Sequence, residues 1–165
     1  MVLLNRLSLR NKNSGYNAIY RTFAFLVALL IFGTGMCTAS IYVPDDYLKI
    51  QSAVDNATAG DTIIVRDGVY IENVDVDKSL SVVSENGTAN CTIQAAFSLN
   101  SVFDIKADHV NISGFTVSGG IAGIFITFGT DYCNISNNNA TDNWYGISLK
   151  SASGNVLTNN TLTSN

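Results

Sequence analysis

The sequence predicts an all-β protein, a single-stranded parallel β-helix with one short capping helix, and three observations predict it. The first is an internal repeat. Asp108-His109-Val110-Asn111-Ile112-Ser113 returns as Asp131-Tyr132-Cys133-Asn134-Ile135-Ser136, and Gly123-Ile124-Phe125-Ile126 returns as Gly146-Ile147-Ser148-Leu149, both at an offset of 23 residues. A third copy starts at Ser153-Gly154-Asn155-Val156-Leu157, at an offset of 22. The second is period-2 alternation of apolar residues within each copy: Val110 and Ile112, Ile124 and Ile126, Cys133 and Ile135, Ile147 and Leu149. That is the signature of short strands with one buried face. The third is the composition between them, which is Gly, Asn, Ser, Thr and Asp, the residues that close turns. One such unit cannot bury its apolar side alone. Stacked units put Ile112 over Ile135 over Leu157 at about 4.8 Å and make a continuous core. The runs Asn137-Asn138-Asn139 and Asn159-Asn160 then fall at one corner of successive coils. Asparagine tolerates left-handed backbone, and its amide can bond the copy above. These asparagines read as turn ladders rather than a binding site.

Residues 1–39 read as a secretion signal. Arg6, Arg10, Lys12 and Arg21, with no acid among them, precede an apolar run from Phe23 to Met36. Cys37-Thr38-Ala39 supplies small residues before a cleavage after Ala39. The run is 14 residues, short of the roughly 20 that span a bilayer, which favours cleavage over anchoring. The bulky Met36 before Cys37 argues against a lipid-modified cysteine.

Residues 40–61 form an extended lead-in and a capping helix. Ile50, Ala53, Val54 and Ala57 share one helical face, Asp45 or Asp46 can cap its start, and Gly60 suits its end. Residues 62–165 form the coils. Strands are expected at Thr62–Val65, Val69-Tyr70, Asn73–Asp77 and Leu80–Val82, with turns at Asp67-Gly68 and Asn86-Gly87. Cys91 and Ile93 share a face, as do Phe103 and Ile105. Asn165 falls in mid-coil, so truncation of a longer solenoid, or end-to-end stacking at an open last coil, is expected.

Of the 165 residues, 13% are charged and 47% apolar. From Ser40 onward five bases face thirteen acids, a net charge of −8. Such a surface repels nucleic acid and anionic lipid, leaving the N-terminal signal as the membrane contact.

The run Ile50-Gln51-x-Ala53-Val54-x-x-Ala57-x-x-Gly60-Asp61-x-Ile63-x-Val65-x-x-Gly68-x-Tyr70-x-Glu72 resembles the opening of right-handed parallel β-helix proteins of the pectate-lyase-like class. In that class a short helix plugs the open end of the solenoid. The Asn-Ile-Ser and Asn-Asn repeats resemble NosD-type β-helix domains and the secreted surface proteins of archaea. The resemblance covers residues 41–165 and implies a right-handed coil. It leaves function open, because this architecture carries lyases, hydrolases, adhesins and surface proteins.

The chemistry-bearing residues are sparse. A polysaccharide lyase of this class would use clustered acids with an Arg or Lys. Arg66 is the arginine after residue 40, and Asp75 and Asp77 read as a solvated strand face. No acids are seen at matching positions of adjacent coils except Asp108 and Asp131, a pair at a turn. Copper would want Cys, His or Met; His109, Cys91 and Cys133 are the candidates after the signal. The two cysteines read as core thiols, with a disulfide or a metal site as alternatives. No catalytic residue, metal site or cofactor is assigned.

The acceptor pattern Asn-x-Ser/Thr occurs seven times, at Asn56, Asn86, Asn90, Asn111, Asn134, Asn139 and Asn159. Random order would give about three, from the Asn and Ser/Thr content alone. Trp144-Tyr145 is an aromatic pair able to stack on sugars. These features point to a secreted, glycosylated cell-surface or envelope module, structural or carbohydrate-binding rather than catalytic, with carbohydrate or envelope components as partners. The alternatives are a carbohydrate-active enzyme with its site in further coils, or a NosD-like copper-maturation protein.

Overall fold

The computed structural model describes residues 38–165, and the predicted secretion signal lies almost wholly outside them. The described part is a parallel β-solenoid of fifteen short strands and one helix. The elements are β1 (Ser40–Val43), α1 (Ile50–Asn56), β2 (Thr62–Val65), β3 (Gly68–Ile71), β4 (Val74–Val76), β5 (Ser81–Ser84), β6 (Cys91–Gln94), β7 (Phe103–Ile105), β8 (Asn111–Ser113), β9 (Thr116–Ser118), β10 (Ala122–Ile126), β11 (Asn134–Ser136), β12 (Asn139–Thr141), β13 (Tyr145–Leu149), β14 (Val156–Thr158) and β15 (Thr161–Thr163).

Three parallel sheets wrap the core. Sheet A runs β1-β2-β5-β8-β11-β14, sheet B runs β3-β6-β9-β12-β15, and sheet C runs β4-β7-β10-β13. Register follows side-chain type. In sheet A one inward column is Ile41, Ile63, Val82, Ile112, Ile135 and Leu157. Sheet B stacks Tyr70, Ile93, Val117, Ala140 and Leu162. Sheet C stacks Val74, Phe103, Ile124 and Ile147. A one-residue slip would turn each column outward, so burial locks the register. Phe103 and Phe115 meet at the centre, with ring centroids 5.5 Å apart.

The corners repeat their backbone as well as their chemistry. Gly114, Asn137 and Asn159 occupy equivalent turns, all with positive φ (84°, 56° and 55°). Where the non-glycine corners occur, side chains cross-link the coils. Asn138 is buried; its Oδ1 accepts from Phe115 N, and its Nδ2 donates to Ile112 O and Asn160 Oδ1. Asn160 Nδ2 continues to Ile135 O. A second ladder, not anticipated from the sequence, joins Asn143 to Asn165 and reaches Gly120 N, Val117 O and Ala140 O. Asp108 and Asp131 form a third, each accepting a backbone N–H from the next coil, of Asp131 and Ser153. Gly123 and Gly146 let the coils approach. A Cβ on Gly123 would lie 2.7 Å from Gly146 O and 2.8 Å from a Val117 methyl.

Helix α1 covers the top of the solenoid through Ile50, Ala53 and Val54. Its start is capped differently from the expectation. Asp45 binds Arg66, and Asp46 accepts from Tyr42 N. The helix N-terminus instead donates Ile50 N and Gln51 N to the Glu72 carboxylate, both at 3.1 Å. A carboxylate from the next coil thus satisfies amides that have no intrahelical acceptor and complements the helix dipole. Gly60 has φ +96° but sits in the turn after the helix, donating to Ser79 O. Among the described residues no helix is long and apolar enough to cross a membrane.

Candidate functional site

Charge is distributed very unevenly over the three faces. The strands of sheets A and B carry no charged residue. In sheet C, β4 carries Asp75 and β7 carries Asp104, and the two are register partners on adjacent coils. The outward column of that sheet reads Asp75, Asp104, Phe125 and Ser148. At about 4.8 Å per strand it spans about 14 Å along the solenoid.

Lys106 lies beside this column. Its Nζ is 2.9 Å from Asp75 Oδ2 and 3.4 Å from Asp104 Oδ2. The hydrogen bond to Asp75, aided by Asp104, raises the lysine pKa above its ordinary value. Thr127 Oγ1 donates to Asp104 Oδ1 at 2.9 Å and fixes that carboxylate.

A wall rises on one side. Residues 95–101 make a loop that stands away from the coil, with Phe97 70% and Leu99 82% exposed. Asn73 pins it: Phe97 N donates to Asn73 Oδ1 at 2.8 Å, and Asn73 Nδ2 donates to Ser101 O at 2.8 Å and Phe97 O at 3.3 Å. Between wall and sheet lies a groove of ≈ 350 Å³, floored by Asp75, Asp104 and Lys106 and flanked by Leu99, Ile121 and Phe125. An apolar pocket shares Ser101, Ile121 and Phe125 with it and extends to Tyr145 and Ser148. The two make one trough along the solenoid axis, polar at the Asp75 end and aromatic at the Tyr145 end.

This site corrects the sequence reading, which found no acids stacked on matching coils outside a turn. Asp75 and Asp104 are stacked, but 29 residues apart rather than 23, because the wall loop lengthens that coil. The shared pattern Val74-Asp75-Val76 and Phe103-Asp104-Ile105 was the available signal. Asn73, Lys106 and Phe125 were also missed, since each gains meaning only from its neighbours across coils. Of the aromatic pair, Tyr145 lines the trough, while Trp144 stands 73% exposed at the preceding corner, outside the lining.

The remaining candidates lie elsewhere. Arg66 binds Asp45 and Glu85 and packs over the Tyr42 ring at 5.1 Å, away from the trough. Cys91 and Cys133 are buried, unpaired thiols. Burial pushes the Cys91 thiol up to about 11 and raises that of Cys133. His109 is exposed and stacked on Tyr132 at 5.3 Å. Among the described residues no three His, Cys, Asp or Glu side chains converge as metal ligands.

The acceptor asparagines differ in accessibility. Asn56, Asn86, Asn90, Asn134 and Asn159 are exposed and Asn111 and Asn139 half-buried. Asn134 Nδ2 donates to Asn111 Oδ1 at 3.1 Å, a ladder step on sheet A. Asn139 Oδ1 is buried and lacks a hydrogen-bond partner.

Fold, ladders and cap define a capped β-solenoid module whose strand charges all lie on one sheet. The chain belongs to the family described as "Periplasmic copper-binding protein (NosD)", which matches residues 54–165. It is also similar to a "Cell surface glycoprotein" of Methanothermus fervidus, 35% identical over 179 aligned residues, which cover 86% of this chain and 30% of the relative. The chain therefore spans less than a third of that protein's length. No solved structure matches. The family takes its description from copper, but the donors among the described residues do not fit that metal. The thiols are buried and protonated, His109 stands alone, and both methionines precede residue 38.

Proposed function

We propose that this chain is a β-helix module displayed outside the cytoplasm, structural or carbohydrate-binding rather than catalytic, and that the trough on sheet C is where it holds a sugar chain. One observation carries the reading. The trough combines aromatic faces, at Phe125 and Tyr145, with polar groups in one elongated depression on a rigid scaffold. Sugars present apolar faces and hydroxyl edges, and such a site satisfies both. The relative's description as a cell surface glycoprotein supports the location, and exposed Asn56, Asn86, Asn90, Asn134 and Asn159 are the acceptors through which this module would itself carry glycans.

Binding rather than hydrolysis is favoured by Lys106. A glycosidase needs one carboxyl to deliver a proton to the leaving group while the other attacks or activates water. Here both carboxylates serve as counter-ions of one ammonium. The test is titration calorimetry of residues 38–165 against a panel of oligosaccharides, with Phe125→Ala and Tyr145→Ala. Each substitution is expected to weaken binding about 3- to 10-fold, as lost aromatic contact does. Unchanged affinity in both would remove the trough from the reading. Release of shortened products, abolished by Asp75→Asn, would replace binding with catalysis.

A further inference from the structure

The charges of the trough carry the reading one step further, to the class of sugar chain it accepts. Its floor holds two carboxylates and one ammonium, a net charge of −1, and no other charged residue lines it. The surrounding surface adds to this sign, since residues 40–165 carry −8. The floor's charges are tied to one another and to the sheet. Asp104 is tied to Thr127, Asp75 and Asp104 share Lys106, and both stand on strands whose flanking side chains are in the core. The Asp75 side chain is 59% exposed and that of Asp104 29%, so both carboxylates face the space a ligand would fill. The half of the trough beyond Phe125 is apolar and carries no charge.

Resting on the carbohydrate reading above, we infer that the trough selects uncharged sugar chains and excludes acidic ones, and that Asp75 and Asp104 are the residues that enforce the exclusion. A carboxylate-bearing chain laid along the column Asp75, Asp104, Phe125 would set its own charge against two carboxylates carried in register on strands about 4.8 Å apart. Lys106 does not rescue it. The ammonium is held between both acids, and an incoming carboxylate would have to compete with two partners already in contact. An uncharged chain meets the same floor as hydrogen-bond acceptors for its hydroxyls and stacks on Phe125 and Tyr145 without that cost. Discrimination then comes from repulsion of the wrong ligand as much as from attraction of the right one.

The residue identities make a sharp reversal available. Asp75→Asn with Asp104→Asn keeps shape and acceptor oxygens, including the one Thr127 uses, but leaves Lys106 as the sole charge, so the floor becomes +1. The experiment titrates residues 38–165, native and doubly substituted, with neutral hexasaccharides (gluco-, manno-, galacto- and N-acetylchito-) and with hexagalacturonate. Circular dichroism and the melting midpoint confirm that the variant folds. The native protein is expected to bind at least one neutral chain and not the uronate. The double variant should keep the neutral ligand and gain uronate affinity of about tenfold or more, in a form that about 0.5 M salt removes. Lys106→Met, which makes the floor −2, should keep the neutral ligand and still refuse the uronate. Native binding of hexagalacturonate as tight as any neutral chain would overturn the inference while leaving the carbohydrate reading intact. So would a double variant that gains nothing. Failure of every probe with every variant would remove both.

Discussion

The coils after residue 108 and the coil that contains the wall loop are built from the same strands yet behave as different objects. In the later coils the offset between equivalent residues hardly varies, 23 residues from Ile112 to Ile135 and 22 from Ile135 to Leu157. One corner is tied from coil to coil by the buried Asn138 and the half-buried Asn160. In the earlier coil the step from Val82 to Ile112 is 30 residues. The extra length leaves the sheet as the 95–101 wall, and beside it the trough opens over Asp75 and Asp104. Repetition stabilises a solenoid because each coil is its neighbour's template. Recognition needs a place where the template is broken and side chains of unlike type meet. In this molecule the irregular coil supplies the wall and the charged end of the trough, and Phe125 and Tyr145 of the regular coils supply its aromatic end.

The largest way to break that contrast is to cut a ladder. Asn138→Ala leaves the buried Phe115 N–H without its acceptor and removes the donor to Ile112 O. A loss of stability on the order of 3 kcal/mol is expected, read as a shift in the urea midpoint at unchanged slope. A shift under about 0.5 kcal/mol would mean the ladders decorate the corners rather than hold them.

Asn73→Ala sharpens the other side of the comparison. Asn73 is half-buried and holds only the wall, so stability should fall by about 1 kcal/mol. Hydrogen exchange should quicken across residues 95–101 alone, and sugar affinity should drop with it. Exchange spreading into β8 and β11 would show that wall and coils fold as one unit.

The smallest effect is a pH dependence of the coil core. The Cys91 thiol is raised by burial to about 11, so the native protein keeps its proton where the unfolded chain, near 9, has lost it. The unfolded state then binds fewer protons, and stability falls as pH climbs from about 9 to about 11. The contribution is fully present below the lower value and lost through the upper one. The melting midpoint of the native protein should decline over that window more steeply than that of Cys91→Ala. Parallel declines would place the slope in other groups, Tyr70 among them, whose hydroxyl is also raised by burial.

Strands β9, β12 and β15 were not expected, and Asn139 opens β12 instead of closing the corner, whereas the parallel β-helix, the early strands, the Ile112–Ile135–Leu157 column and the Asn137-Asn138 turn were legible in the chain by itself. Their cause is local and periodic: a 22- or 23-residue repeat of alternating apolar residues admits one way of burying them, and turn residues mark where it bends. The same local logic placed Ile50, Ala53, Val54 and Ala57 against the core. What tertiary structure alone decided is every contact that crosses coils at an irregular spacing. Glu72 rather than Asp45 or Asp46 caps α1, because the next coil delivers a carboxylate to its first amides. Asp104 meets Asp75, Lys106 bridges them, and Asn73 raises the wall, because a loop of seven residues restores at 29 residues the register that the repeat keeps at 23. Stacking in a solenoid follows position within the coil, not distance along the chain, so a single insertion hides a site from sequence while leaving the fold in plain view.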